Sequence, residues 1–202
     1  AEGDDVGAAE AYRQAMGNKE LDPLLKKTLE LVGQGRFGVA EGICREYLKR
    51  RPHDVDAIRL LAEVGISIGS VAEAILLLER CLELAPEFHV ARTNYVTALA
   101  RHQRFDEALA ENEQLRKAQP DSLAHQVQFA TTLSLAGRFE MAHGEFEKAL
   151  EQAPGNERIL TSYGHSLRYG VKGEEAIAAY LRAVDAEPSA GEAYWSLANL
   201  KT

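Results

Sequence analysis

Cysteine, tryptophan and methionine are nearly missing from this chain, with two, one and two copies in 202 residues. So few cysteines exclude a disulfide framework and a structural zinc site, since each needs several thiols at set spacing. Cys44 and Cys81 read instead as small apolar core residues. Long apolar runs are also lacking. None approaches the ~18 residues of a helical membrane span, so no membrane partner is expected. Positive charge is in deficit, with 23 Lys and Arg against 31 Asp and Glu and a net charge of −8. That balance speaks against nucleic acid or an anionic membrane surface as a partner. Strand-like alternation is sparse. The cysteine usage suits a reducing compartment and no signal-peptide pattern follows Ala1, so a cytoplasmic location is expected.

The motifs of catalysis are lacking too. The six histidines (His53, His89, His102, His125, His143 and His165) are scattered and form no His-Glu-x-x-His pair. There is no Gly-x-x-x-x-Gly-Lys-Ser/Thr loop and no Gly-x-Gly-x-x-Gly after a strand. Ser162-Tyr163-Gly164-His165 offers a nucleophile beside a base, but its central pair falls on packing positions described next, so it reads as part of a core. No metal, no cofactor and no enzyme activity is assigned to this segment.

Proline is scarce as well, and its placement organises everything else. Five of the six prolines (Pro52, Pro86, Pro120, Pro154 and Pro188) stand 34 residues apart, and Ala40, Ala74, Ala108, Ala142 and Ala176 keep the same period. Proline lacks a backbone N–H and punctuates helices. An alanine at fixed phase lets two helices approach where a larger side chain would clash. Four residues after each alanine come Cys44, Leu78, Asn112, Phe146 and Tyr180, and three further on Tyr47, Cys81, Leu115, Ala149 and Ala183. That spacing traces one stripe of a helix. Ahead of each alanine a second stripe carries small residues at Thr28, Ala62, Val96, Ala130, Gly164 and Ala198. Leu61, Tyr95, Phe129, Tyr163 and Leu197 precede them, and Gly35, Gly69 and Gly137 mark the turn between the two helices.

In period, small-residue columns and closing proline this pattern resembles the tetratricopeptide repeat, over roughly residues 21–202. The resemblance implies an all-α, right-handed solenoid of about five helix-turn-helix repeats. They are expected near 21–54, 55–88, 89–122, 123–156 and 157–190, with a half repeat over 191–202. Residues 1–20 are expected to form a tail and a capping helix over about 5–17, where Ala8, Tyr12 and Ala15 keep helical spacing. Asp22-Pro23 then opens the next helix.

Three departures carry expectations. Lys27 stands where later repeats have a large apolar residue, which suits an end unit with a wetter face. Asn112 replaces a large apolar residue and Gln103 a turn glycine, so the third repeat is expected to pack more loosely. Val171 takes the turn-glycine position of the fifth repeat, so that turn is expected to be reshaped.

The concave face of stacked first helices is the surface such a scaffold offers to a ligand. Two columns should point into it. One is Lys26, Leu60, Asn94, Gln128, Ser162 and Ser196; the other is Leu29, Glu63, Thr97, Thr131, His165 and Asn199. From the third repeat on these are uncharged polar residues, His165 aside, able to donate to and accept from an extended peptide backbone. They resemble the asparagine ladder of O-linked N-acetylglucosamine transferase repeats, although only Asn94 keeps the asparagine. An ordinary solvated helix face is the competing reading. The carboxylate clamp of chaperone-binding repeat domains falls on Arg59, Glu63, Asn94, Ala124 and Gln128. Glu63 would repel a terminal carboxylate there and is placed to pair with Arg59 at i,i+4. Arg158, His165 and Arg168 form a basic patch suited to an acidic segment or a phosphate.

Leu60-Leu61-Ala62-Glu63, Leu78-Glu79-Arg80-Cys81-Leu82-Glu83-Leu84-Ala85-Pro86, Ser162-Tyr163-Gly164-His165-Ser166-Leu167 and the stretch from Gly191 to Thr202 resemble the N-terminal repeats of bacterial sulfotransferase-family proteins. That resemblance implies a parent chain with a sulfotransferase domain, using 3′-phosphoadenosine 5′-phosphosulfate, beyond Thr202. None of that domain's residues falls here. Two function classes stay open. One is a module binding a protein or extended peptide in the groove. The other is a structural element that packs on a fused domain, or on a second copy through the Tyr194, Trp195, Leu197 and Leu200 half repeat.

Overall fold

A computed structural model describes residues 21–200, which form eleven helices and no strand. They are α1 (Pro23–Gly33), α2 (Phe37–Arg50), α3 (Val55–Ile68), α4 (Val71–Leu84), α5 (His89–Arg101), α6 (Phe105–Ala118), α7 (Leu123–Leu135), α8 (Phe139–Gln152), α9 (Glu157–Tyr169), α10 (Gly173–Ala186) and α11 (Gly191–Leu200). This is the all-α, helical-hairpin class that the periodic columns imply. The expected capping helix over 5–17 lies outside the described residues. Two compact units divide at Arg104 and Phe105; α1 to α5 build the first and α6 to α11 the second. No described helix is long and apolar enough to cross a membrane.

The first helices begin for a reason visible in the sequence. Two residues beyond its repeat proline, Asp54 accepts a hydrogen bond from the Ala57 amide at 3.1 Å. Asn156 does the same for Ile159 at 3.2 Å and Ser122 for His125 at 3.4 Å. Asp22 caps α1 by accepting from Leu24 N at 2.9 Å, with Pro23 in the first turn. Each such cap contributes about 1 kcal/mol. The second helices α2, α4, α8 and α10 have no side-chain cap hydrogen bond, so packing within the hairpins must hold them.

That packing follows the columns. Ala40, Ala74, Ala108, Ala142 and Ala176 are all fully buried. In the first unit a Cβ added to Gly65 of α3 would meet the Ala74 Cβ of α4 at 3.4 Å, so the small pair sets how closely the hairpin closes. In the second unit a Cβ on Gly164 of α9 would stand 2.5 Å from the Tyr180 ring of α10. A ring lies where no β-carbon fits.

Every turn between the two helices of a repeat contains one left-handed residue, at Gly35 (φ 71°), Gly69 (88°), Gln103 (63°), Gly137 (73°) and Val171 (63°). In four of them the next amide donates back to the first helix at 2.9 Å: Arg36 to Leu31, Arg104 to Leu99, Arg138 to Leu133 and Lys172 to Leu167. The Val171 turn is therefore not reshaped. Its hairpin imposes the left-handed backbone and the side chain adapts, 91% exposed. At Asn112 of α6 the contact is polar, and the amide Oδ1 is buried without a partner among the described residues. The residue is fully buried, and its Nδ2 donates to Thr132 Oγ1 on α7 at 3.1 Å. A polar pair replaces the expected apolar contact. Lys27 is exposed.

Candidate functional site

In the first unit the site residues from the two columns lie on α3 and α5. Arg59 is buried, 8% exposed, and its Nη1 donates to Glu63 Oε2 at 2.7 Å. The i,i+4 pair takes up both charges, so a ligand meets neither as an open cation or anion. Asn94 is half-buried with its Nδ2 unpartnered, and Thr97 donates its hydroxyl proton to Thr93 O at 3.1 Å.

The buried cysteines lie in this unit and stay thiols. Burial pushes Cys44 up to about 11 and Cys81 up to about 12, with the positive charge of Arg59 opposing in part. Cys81 Sγ donates to Val55 O at 3.4 Å. These are core residues without reactivity at neutral pH.

The second unit gathers its site residues around an open cavity of about 450 Å³. Thr131 and Ser134 reach it from α7, Ser162, His165, Ser166 and Arg168 from α9, and Glu192 and Trp195 from α11, beside Leu135 and Tyr169. Four of the sequence-derived positions, Thr131, Ser162, His165 and Arg168, thus meet at one place. Gln128 is half-buried on α7 and does not line the cavity, and Arg158 is exposed in the first turn of α9 away from it. Of the expected trio Arg158, His165 and Arg168, the last two line the cavity. The residue one repeat beyond Arg158, Glu192, comes to His165.

His165 sits at the centre of a relay. Its Nδ1 is 2.9 Å from the Tyr180 hydroxyl and its Nε2 is 3.2 Å from Glu192 Oε1. The Glu192 carboxylate only accepts, so the Nε2 facing it carries a proton, and in that tautomer Nδ1 accepts from the Tyr180 hydroxyl. Burial pushes the Tyr180 phenol up, which keeps it a donor. Arg168 has no carboxylate partner among the described residues. Its guanidinium carbon lies 4.9 Å from the Tyr169 ring centroid and its Nη2 donates to the Tyr169 hydroxyl at 3.1 Å. Among the described residues no group of three or more His, Cys, Asp or Glu is placed to hold a metal ion.

Leu135, Tyr169, Ser166, Glu192 and Trp195 escaped the column reading. One signal was available: Leu135 and Tyr169 stand 34 residues apart, in a column one helical turn beyond Thr131 and His165.

Stacked helical hairpins with a polar and aromatic cleft between first helices define a repeat scaffold for ligand binding. Two tetratricopeptide repeat family models match, one over residues 25–87 and one over 66–128, about half of the chain between them. The chain therefore carries tetratricopeptide repeats.

Solved structures agree on the fold. A tetratricopeptide repeat protein from Parabacteroides merdae is 16% identical, with a TM-score of 0.81 over 99% of this chain and 80% of that one. TTC0263 of Thermus thermophilus, a thermophilic tetratricopeptide repeat protein, is 20% identical with a TM-score of 0.75, over 88% of this chain and 97% of that one. YrrB, a tetratricopeptide repeat protein with an unusual peptide-binding site, is 19% identical with a TM-score of 0.62, over 93% of this chain and 98% of that one. At such identities the likeness is one of fold alone. No curated protein sequence matches the chain.

Proposed function

We propose that this chain is a non-catalytic scaffold that holds a protein or an extended peptide against its first helices. The observation that carries this reading is the cavity of the second unit, where Thr131, Ser162 and His165 converge. The hydroxyls of Thr131 and Ser162 serve peptide N–H and C=O groups without regard to side-chain identity, so the polar positions grip the backbone while pockets select residues. In the first unit the hydroxyl of Thr97, its proton given to Thr93 O at 3.1 Å, keeps lone pairs of the same accepting kind. Replacing Asn94, Gln128 and Ser162 together by alanine is expected to weaken peptides selected on the wild-type chain by about tenfold or more, with an unchanged circular dichroism melt. Unchanged affinity would sink the polar-ladder reading.

A structural role is the second reading, and it too has an observation. Tyr194 and Trp195 of α11 are 49% and 64% exposed, and Ala198 is exposed whereas its counterparts Thr28, Ala62, Val96 and Ala130 are fully buried. An uncovered apolar face of this kind suits a second copy or another domain. Sedimentation equilibrium of wild type against a Tyr194→Glu variant tests the second-copy form of this reading, which predicts a wild-type mass above that of one chain and its fall in the variant.

The finer reading, a repeat arm of a sulfotransferase-family protein, rests on the four quoted stretches alone. Its test is the coding sequence past Thr202, where a strand, phosphate-binding loop and helix are expected and an immediate stop codon would end the idea.

A further inference from the structure

We infer that the cavity of the second unit receives a peptide segment carrying a carboxylate side chain beside a bulky apolar one, with Arg168 as the partner of the carboxylate. The inference rests on the peptide-binding reading and narrows it.

The charges in the cavity decide the sign of the ligand. Its lining holds two formal charges, Arg168 and Glu192, together with His165. Glu192 Oε1 lies 3.2 Å from the Nε2 of His165, whose Nδ1 is 2.9 Å from the Tyr180 hydroxyl. Arg168 has no such partner. Its stacking on Tyr169, with one hydrogen bond to that ring's hydroxyl, holds the guanidinium plane while leaving most of its five N–H donors unused. A fork held in this way matches the two oxygens of a carboxylate, and a lysine would not reproduce it. A phosphate fits less well. Its charge of about −1.5 to −2 would be balanced only in part by a single guanidinium. A basic segment would meet Arg168 as a like charge.

The walls decide what lies next to the carboxylate. Leu135, Tyr169 and Trp195, on three different helices, are 56%, 62% and 64% exposed and border the same 450 Å³ of space. Large apolar side chains from separate elements around one cleft make the anchor pocket of a peptide groove.

The test uses the whole 202-residue chain on arrays of hexapeptides with randomised flanks. Their fixed centre is aromatic–Glu, aromatic–Gln, aromatic–Lys or aromatic–phosphoserine. The strongest binders of the Glu and Gln sets are then measured by fluorescence anisotropy on wild type, Arg168→Gln, Arg168→Lys, Trp195→Ala and Arg158→Gln. Melting curves of each variant establish that it is folded. Wild type is expected to favour the Glu set over the Gln set by about tenfold. Arg168→Gln should erase that preference while changing Gln-set affinity by less than about twofold, and Arg168→Lys should recover only part of it. Trp195→Ala should weaken both sets alike, and Arg158→Gln, outside the cavity, neither. If the preference survives Arg168→Gln, or the phosphoserine or Lys set binds best, the inference is overturned. Peptides that bind without preference for the acid would overturn it while leaving the scaffold reading in place. If no set binds, both fall.

Discussion

Val171→Gly should stabilise the second unit, although it deletes a side chain and adds a flexible residue. Val171 has φ 63°, in the left-handed region that costs an L-residue about 1–2 kcal/mol and a β-branched one more. Its side chain is 91% exposed, so its removal forfeits almost no packing. Glycine gives back about 0.5–1 kcal/mol through its freer unfolded chain. The balance is a gain of about 1 kcal/mol, provided the turn keeps its shape, and the 2.9 Å hydrogen bond from Lys172 N to Leu167 O is the reporter of that shape. A repeat array need not unfold in two states, so a local readout is needed. Hydrogen exchange at the Lys172 amide should slow by about fivefold if its opening becomes about 1 kcal/mol harder. Gly137→Val is the reciprocal control. Gly137 has φ 73°, and a Cβ there would meet nothing within 4 Å, so its loss would be conformational alone, about 1–2 kcal/mol. Unchanged or faster exchange in Val171→Gly, or a neutral Gly137→Val, would show that the column is not a backbone requirement.

Three other outcomes follow from packing and burial. Gly164→Ala places a methyl 2.5 Å from the Tyr180 ring and should destabilise by about 2–3 kcal/mol in chemical denaturation; a Tyr180→Leu second change should restore part of the loss. Thr132→Val strips the Asn112 amide of its partner and should cost about 1–3 kcal/mol, whereas Asn112→Leu with Thr132→Val should lie within about 1 kcal/mol of wild type. Additive losses would refute the paired-burial account. The cysteines predict a pH dependence. Their native pKa values of about 11 and about 12 lie above the ordinary 9.0, so the unfolded chain releases its thiol protons first. The stability they contribute is complete below pH 9 and is lost as the pH rises through the native values. Urea midpoints should therefore fall more steeply above that pH in wild type than in Cys44→Ala with Cys81→Ala.

The fold was legible because stacked identical units repeat their demands on the chain. A fully buried alanine at 40, 74, 108, 142 and 176 is one steric requirement written five times. Val171 and Asn112 show the limit of that logic. A column records which residue usually satisfies a requirement, and it does not say whether the requirement is on the side chain or on the backbone. At Val171 the requirement is a left-handed backbone, and the fold imposes it on a residue that disfavours it. At Asn112 the requirement is burial of volume, and the partner that makes an amide acceptable there, Thr132, lies on the next helix, twenty residues along.

The site was less legible for a related reason. Columns preserve the positions that stack hairpins, while binding uses positions free to change from repeat to repeat. The column of Arg101, Leu135 and Tyr169 makes the point. In the first unit Arg101 donates to the backbone carbonyl of Ile66 at 2.9 Å and holds neighbouring turns together. In the second unit the same register supplies Leu135 and Tyr169 to the cavity wall. Arg59 and Trp195 likewise share a register, one an arginine sealed against Glu63 and the other an exposed indole. Where a column keeps its chemistry the residue serves the stack. Where the chemistry changes within one register, the stack has already been secured by other residues and the position is available to a ligand. On that argument the second unit, where the changed positions converge on one cavity, is where specificity should reside.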